Sequence, residues 1–479
     1  MAEIKLTING KECTAKEGMT ILQAAKENGI EIPTLCHFEG IEGRANCRLC
    51  VVEVEGMRTP QPACVTKIRE GMVVATETEK LQAARKATLE LILAHHAVDC
   101  HHCMRIGSSS EQSLDPKFCE MCFWCDCVRD GFCELQSLAR KYHVDVLPYI
   151  QHEKDYEEDA SLDSIIRNPN KCIKCRRCVD VCANVQTVHN LSMANRGRDI
   201  TVVPEMGKPM AESACTRCGH CVDVCPVGAI YMKEHKDEML YMAHSYDIDV
   251  VAQVSADVIP ALAGLYKVRE SDIKPENVVA ALHKVGISKV VSDHHARITA
   301  AKQAAEIIEK KIGHDPVIIT DSSAVMHFVE RYYSEMKSQI DTYDSIQTAF
   351  CKESKQLAED KPLKVVNITN IKEAGAEARE TGNADYVINA RELYRIFLRT
   401  GGAPAKRTPH EFDHTWEDGE MPYSDFLGST GWNLGSDPEV VEINVKGKTY
   451  TGAVAHNLGQ VRKLLDGEYQ KYDAVKLMA

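Results

Sequence analysis

Two stretches of the chain repeat one spacing. KCIKCRRCVDVC (171–182) and ACTRCGHCVDVCP (214–226) each read C-x2-C-x2-C-x3-C. This is the bacterial two-cluster ferredoxin pattern, in which three thiolates of a run hold one iron–sulfur cube and the fourth reaches across to the other. One [4Fe-4S] is therefore assigned to Cys172, Cys175, Cys178 and Cys225, and a second to Cys182, Cys215, Cys218 and Cys221. Pro226 follows the second run as the pattern expects, while Ala183 stands where the first run would carry proline. Zinc would favour paired C-x2-C knuckles with four ligands per ion, a poorer match to two such runs. A chain built this way must fold around inorganic cores.

Of the 21 cysteines, only Cys351 lies beyond residue 226. The start, MAEIKLTING, lacks a basic stretch followed by an apolar run, and no window approaches a membrane span. A cytoplasmic location is expected. Dense cysteines in a reducing compartment are metal ligands rather than disulfides, and an odd total suits a disulfide framework poorly. The net charge of −13 argues against nucleic acid as the main partner.

Residues 1–78 are expected to form a small β-rich domain. EIKLTINGKECTA alternates apolar and polar residues around Asn9-Gly10, a hairpin signal. Thr20 and Gln23 form a capping box for a helix that Gly29 ends. Cys36, Cys47, Cys50 and Cys64 are spaced C-x10-C-x2-C-x13-C, close to the plant-type ferredoxin pattern but with a longer first gap. A [2Fe-2S] cluster is expected there, in a loop (GIEGRAN) whose backbone N–H groups point at sulfur. Cys13 has no partner at ligand spacing and is expected to be a packed thiol.

Residues 79–96 show helical periodicity. His96, Cys100 and Cys103 follow as H-x3-C-x2-C, with His95, His101 and His102 as rivals for the histidine position. An imidazole in place of a thiolate removes negative charge from a cluster and raises its potential. The remaining ligand must come from FCEMCFWCDCVRDGFCELQ (118–136), which offers Cys119, Cys122, Cys125, Cys127 and Cys133. If Cys133 completes the histidine-containing cluster, Cys119, Cys122, Cys125 and Cys127 make a further site. Their spacing suits an extra [4Fe-4S], the preferred reading, or a zinc knot. The acidic stretch 151–163 has little to bury and is expected to be a surface linker or excursion. Beyond residue 240, short apolar strands such as VVAQV, VIIT and KVVNI alternate with helical stretches, the pattern of an α/β fold with a mainly parallel sheet. No G-x-G-x-x-G follows a strand, and GSTGWNLG (428–435) lacks that context, so no flavin or nucleotide is expected in this chain.

HAVDC and GFCELQ resemble the histidine-ligated cluster segment of the large peripheral subunit of respiratory complex I and of [FeFe] hydrogenases. That resemblance implies His96, Cys100, Cys103 and Cys133 as the ligands of a third [4Fe-4S], with the four-cysteine segment as an insertion. VVAQVSADVIPAL, ENVVAALHKVGISKV, FVERYYSEM, ADYVINARELYRIF and HNLGQVRKLL resemble the catalytic domain of [FeFe] hydrogenases, particularly the alpha subunit of electron-bifurcating ones. Where that family carries active-site cysteines, ITDSSAV has Asp321 and Ser322, and ITNIKEA has Asn370. The family's third cysteine motif would begin at the final VKLMA. Asp, Ser and Asn are poor substitutes for soft thiolates on iron. The resemblance thus implies a degenerate hydrogenase-like domain without its active-site cluster, and Cys351 as an isolated thiol.

The expected architecture is multidomain, α+β and α/β: a β-grasp ferredoxin-like [2Fe-2S] domain (1–78), a histidine-ligated cluster domain with the insertion (79–160), a two-[4Fe-4S] ferredoxin domain (161–235) and an α/β hydrogenase-like domain (236–479). The resemblance implies an electron-conducting subunit, without a turnover site of its own, in a flavin-based bifurcating complex, foremost an NADH/ferredoxin:NADP transhydrogenase. A bifurcating formate dehydrogenase or [NiFe] hydrogenase complex competes, and a redox sensor or assembly scaffold is the alternative of another class. The implied partners are a flavin-carrying NADH-oxidising subunit, a thioredoxin-like [2Fe-2S] subunit, soluble ferredoxin and an NADPH-binding flavoprotein, with no membrane.

Overall fold

The computed structural model describes residues 2–96, 127–129, 132–144, 149, 156–162, 164–358, 361–414, 416, 419–428 and 433–479. Cys100, Cys103, Cys119, Cys122 and Cys125 lie outside the described residues.

The N-terminal sheet is ordered β2-β1-β5-β3-β4, from β1 (Glu3–Ile8), β2 (Lys11–Lys16), β3 (Val51–Val54), β4 (Gln61–Pro62) and β5 (Met72–Ala75). β1 and β2 pair antiparallel through Asn9 and Gly10, whose φ values of 52° and 79° are those a two-residue hairpin needs. The helix Ile21–Glu27 starts at the Thr20–Gln23 capping box. Its Ile21, Ala24 and Ala25 join Ile8, Val52 and Val74 in one core, and Cys13 is buried there as a packed thiol.

The helix Glu79–Leu93 leads out of this domain and ends three residues before His96. Its Arg85 is completely buried. The guanidinium donates to the carbonyls of Leu49 and Val51, both at 2.9 Å, to Glu77 at 2.8 Å and to the Tyr142 hydroxyl at 3.2 Å. Arg85 thereby pins the backbone on either side of Cys50.

A ferredoxin-like unit follows. β6 (Ile165–Arg167) pairs antiparallel with β9 (Ile230–Met232), and β7 (Ser192–Ala194) with β8 (Thr201–Val203). The described part of the acidic stretch 151–163 is mostly at the surface, as expected, but it is anchored to the unit beneath it. Asp159 exchanges backbone hydrogen bonds with Arg167, its carboxylate accepts from Met210 N at 3.0 Å, and Leu162 is buried. The carboxylate also accepts from Ser161 N at 3.2 Å and Ser161 Oγ at 2.6 Å, and a carboxylate with three donors is anchored whatever the composition around it.

The C-terminal half is α/β, but with two sheets rather than one. The first, β11-β10-β14-β15, is wholly parallel and comprises β10 (Asp249–Val254), β11 (Lys289–Ser292), β14 (Leu363–Ile368) and β15 (Tyr386–Ile388). The second, β13-β12-β18-β17-β16, holds β12 (Val317–Thr320), β13 (Ile340–Thr342), β16 (Glu439–Val445), β17 (Lys448–Ala455) and β18 (Ala474–Leu477). Only β16 and β17 pair antiparallel in it. The chain alternates between the sheets two or three strands at a time, so spacing alone could not separate them. Cys351 is buried in the core beside Phe350 and Val365. Among the described residues, no helix is long and apolar enough to cross a membrane.

Candidate iron–sulfur sites and the cavity beside them

Three sets of thiols are gathered by the fold. In the N-terminal loop, Cys36 and Cys47 form one hydrogen-bonded pair and Cys50 and Cys64 another, and Cys47 acts electrostatically on both members of the second pair. Within each pair one thiolate accepts from the other thiol. This brings Cys47 down to about 6 and Cys64 to about 7, with further help from the N–H groups of Leu49 and Leu35 on Cys47 and of Ala45 on Cys64. Cys47 N also donates to Cys36 Sγ at 3.4 Å. Ala45 and Arg48 hold the left-handed φ values of 50° and 58° that turn these amides inward. Close packing fixes Gly43, since a Cβ there would stand 2.4 Å from the Cys64 carbonyl oxygen. Two pairs of thiols with inward N–H groups fit two irons held by two thiolates each.

The repeated runs adopt one local geometry twice. Lys174 and Arg217 sit at φ 59° and 64°, and each donates its N–H at 3.4 Å to the cysteine two residues earlier, Cys172 and Cys215. Arg176 and Gly219 are left-handed too, at 73° and 79°. For arginine and lysine such a conformation costs about 1–2 kcal/mol per residue, and what it achieves is a nest of N–H groups around sulfur.

The thiols then separate into two crossed groups. Cys172, Cys175, Cys178 and Cys225 line one cavity, whereas Cys182, Cys215, Cys218 and Cys221 line another. Cys182, the last cysteine of the first run, thus faces the second. It lies on a single π-turn, Val181–Val185, a widened turn of a kind common at functional sites. Burial pushes Cys172 and Cys215 up to about 11 and Cys218 to about 12, and raises Cys175, Cys178, Cys182 and Cys221 as well. So many buried sulfurs take the thiolate form only against a compensating positive charge, which cluster iron supplies.

His96 is buried, and its Nδ1 lies 2.8 Å from the Lys171 carbonyl oxygen. A carbonyl can only accept, so Nδ1 carries the hydrogen and Nε2 presents the lone pair, as in metal-binding histidines. Lys171 immediately precedes Cys172. Cys133 stands at the N-cap position of the helix Glu134–Lys141. Burial first, and then the neighbouring Cys127, raise Cys133 to about 12, while the Gln136 and Leu135 N–H groups oppose them. The fold therefore sets Cys127, expected in the inserted site, close to Cys133, expected in the histidine-ligated one. Glu134 N donates at 3.0 Å to the Pro226 carbonyl, next to Cys225.

Contacts between units give these sites an order. Arg44 forks onto Asp180 at 3.2 and 2.9 Å, and Asn46 donates to Lys174 O at 2.8 Å, docking the N-terminal loop on the first run. Arg177, held by Glu134 at 2.8 and 2.9 Å, is near enough to both Cys36 and Cys175 for each to raise its pKa. Sequence reasoning missed this bridging cation, although CRRC (175–178) displays it. At the far end, the C-terminal half grips the Cys182 loop. Leu458 N donates to Gln186 at 2.9 Å, Arg462 donates to Thr187 Oγ1 at 2.9 Å, and Tyr332 donates to Val188 O at 3.0 Å. A Cβ on Gly459 would meet the Val185 carbonyl oxygen at 2.4 Å.

Beyond Cys218 and His220 the two sheets of the C-terminal half enclose a cavity of about 530 Å³. Asp321, Ser322 and Asn370, the positions that the resemblance sets against family cysteines, all line it. Among the described residues, the one cysteine in its wall is Cys218. Sequence reasoning did not identify the charged groups that share the wall, Asp223, Asp257, Arg297, Lys372, Glu373 and Lys476. They come from separate strand and helix ends. Glu373 accepts from Ser322 Oγ at 2.6 Å and from Ala324 N at 3.2 Å, yet enclosure and then Asp321 raise it to about 8.

Residues 1–79 match the 2Fe-2S iron-sulfur cluster binding domain, residues 163–231 the ferredoxin-like domain of NADH-quinone oxidoreductase subunit 3, and residues 248–479 the C-terminal domain of the iron-only hydrogenase large subunit. These domains define the class: an iron–sulfur electron-transfer protein joined to a hydrogenase-type α/β body. Over its whole length the chain is 30% identical to the NADP-reducing hydrogenase subunit HndD of Solidesulfovibrio fructosivorans, covering 87% of that protein, and it belongs to the same family. About half of the chain also resembles parts of larger proteins. It is 32% identical to the NADPH-Fe(3+) oxidoreductase subunit alpha of Geobacter sulfurreducens over 49% of this chain and 24% of that one. It is 30% identical to the mitochondrial NADH-ubiquinone oxidoreductase 78 kDa subunit of Neurospora crassa over 49% of this chain and 28% of that one.

Proposed function

We propose that this chain is the iron–sulfur conduit of a cytoplasmic NAD(P)H-linked oxidoreductase complex of the flavin-based bifurcating kind, and that the net reaction is an NADH/ferredoxin:NADP transhydrogenation. The clusters, when bound, pass single electrons. They are one [2Fe-2S], two [4Fe-4S] in the repeated runs, one [4Fe-4S] on His96, Cys100, Cys103 and Cys133, and one [4Fe-4S] or zinc at Cys119, Cys122, Cys125 and Cys127. The chain's own residues space these groups and tune them. Arg177 sets a fixed positive charge between the N-terminal site and the first run, which favours the reduced, more negative state of both. The N–H nests do the same at shorter range.

One observation carries the choice of conduit over hydrogen turnover. Asp321, Ser322 and Asn370, which the resemblance sets against family active-site cysteines, together line one cavity, and hard oxygen and amide groups are weak partners for cluster iron. Electrons reaching Cys218 would then leave through another subunit. The names of the relatives, with NADP, NADPH and NADH in them, support nicotinamide-linked partners. We assign these as a flavin-carrying NADH-oxidising subunit, a thioredoxin-like [2Fe-2S] subunit, soluble ferredoxin and an NADPH-binding flavoprotein.

The test is purification of the native complex without oxygen, identification of its subunits, and assay with NADH, NADP and ferredoxin together. NADP reduction that needs both NADH and reduced ferredoxin supports the proposal. A formate dehydrogenase or [NiFe] hydrogenase subunit among the partners would keep the conduit and replace the reaction. A chain isolated alone that takes up hydrogen with a dye acceptor, or that carries clusters without any redox partner, overturns it.

A further inference from the structure

A second cluster of metal-binding side chains lies far along the chain from the cysteines, at the open edge of the first α/β sheet. The helix Pro275–Val285 ends there, with His283 in its last turn. Edge strand β11 follows, and the segment after Pro404–Lys406 returns across both. That segment is laced down by backbone bonds. His410 N donates to Glu276 O at 3.0 Å and Asp413 N donates to Val290 O at 3.0 Å. Val290 N in turn donates to Asp413 Oδ2 at 2.6 Å. Asp413 therefore covers an edge that would otherwise offer free pairing groups.

The two histidines are oriented alike. His283 Nδ1 lies 3.0 Å from Ile287 O, and His410 Nδ1 lies 2.7 Å from Glu411 O. Since carbonyl oxygens only accept, both rings carry hydrogen on Nδ1 and turn Nε2 outward as a lone pair. This is the arrangement in which outer partners fix the tautomer of metal-ligating histidines. His283 Nε2 faces Asp413 directly, and a ring nitrogen of His410 lies within 4.8 Å of both other ligand atoms. His283 Nε2 stands 3.1 Å from Asp413 Oδ2, the rings lie 4.8 Å apart between centroids, and the three ligand atoms are all within 4.8 Å of one another.

A neutral imidazole lone pair facing a carboxylate oxygen at 3.1 Å is repulsive. Something positive belongs between them, a proton or a metal ion. A proton on His283 would satisfy that one pair and leave no role for the matching orientation of His410. A metal ion uses all three groups. We propose that His283, His410 and Asp413 bind one zinc ion, with water as the fourth ligand, and that it fastens the 404–413 segment over the edge of β11.

Two imidazoles and a carboxylate make a borderline donor set suited to Zn²⁺. A tetrahedron with arms of 2.0–2.1 Å has edges of about 3.4 Å. The His283–Asp413 separation is already close to that, and the exposed His410 needs to swing by roughly 1 Å to close the third edge.

The test is made on the full-length, iron-loaded chain. Wild type, H410A, H283A and the exposed-histidine control H314A are equilibrated with a buffered excess of free zinc, desalted, and assayed for zinc and iron by mass spectrometry. Any zinc at the inserted cysteines is common to all four, so the difference between proteins isolates this site. The expected result is one zinc per chain more in wild type and H314A than in H410A and H283A, at unchanged iron. Zinc chelation should also speed proteolysis within 404–413 several-fold in wild type and leave H410A unaffected. H410A changes only an exposed side chain, so it remains informative if H283A folds poorly. Equal zinc in wild type and H410A, or a metal other than zinc retained at the site, overturns the proposal.

Discussion

Cys182 belongs by position to the first run and by location to the second group, and this crossing can be tested by double substitution. Among the described sulfurs, those acting on Cys215 and Cys218 include Cys182, whereas those acting on Cys172 and Cys175 include Cys225. In C182A/C215A two ligands leave one group and the other keeps four. That protein should lose one cluster, about four irons per chain, together with one reduced four-iron EPR signal. The surviving signal should also lose the broadening caused by its neighbour. In C172A/C182A each group keeps three thiols, so both signals should change and neither should survive with its wild-type line shape. The [2Fe-2S] signal is the internal control, because that loop rests on the separate core of Ile8, Val52 and Val74. If instead C172A/C182A spares one four-iron signal intact and C182A/C215A disturbs both, each run holds its own cluster and the crossed assignment is wrong.

H96C replaces a neutral ligand by an anionic one and should lower the midpoint potential of that cluster, by on the order of 100 mV, in an EPR-monitored redox titration. R85A strands the Leu49 and Val51 carbonyls that the buried guanidinium satisfies. It should cost about 3 kcal/mol, seen as a lower Tm and faster loss of the [2Fe-2S] absorbance. Glu373 is raised from the ordinary 4.5 to about 8, so between those values the folded chain binds a proton that the unfolded chain has released. Its contribution to stability is complete below about 4.5 and is lost as pH rises through about 8, with a slope of at most ~1.4 kcal/mol per pH unit. E373Q should therefore melt higher than wild type at pH 8, with the gap closing toward pH 5. A gap that is the same at both pH values would show that Glu373 is ionised throughout.

The sequence discloses the local devices well because they depend on neighbours in the chain. The Asn9-Gly10 hairpin, the Thr20–Gln23 capping box and the short strands after residue 240 are all observed as expected. Non-local matters were hidden. Nothing in the spacing of VIIT and KVVNI says that they enter different sheets. Asp159 looked like part of an acidic linker, and only its distant partners Arg167 and Met210 reveal an anchor. The iron–sulfur patterns were visible because ligand spacing is itself a local code. The outer groups were not: the Lys171 carbonyl behind His96 and the Glu134 carboxylate behind Arg177 are contributed from 75 and 43 residues away. Asp321, Ser322 and Asn370 could be named from the resemblance, but the charged wall they share with Lys476 and Glu373 follows from separate elements meeting.

The grip of the helix Leu458–Leu465 on the Cys182 turn gives the α/β half a part to play at the neighbouring cysteine site. Leu458 and Arg462 close directly over Gln186 and Thr187, so excising residues 248–479 would bare the inner four-iron site to water and oxidants. Such a truncated chain would still possess every cysteine of the repeated runs, yet its clusters should bleach in air far sooner than those of the whole protein. Shielding of this kind is a use for a large α/β fold that does not depend on any chemistry in its own cavity.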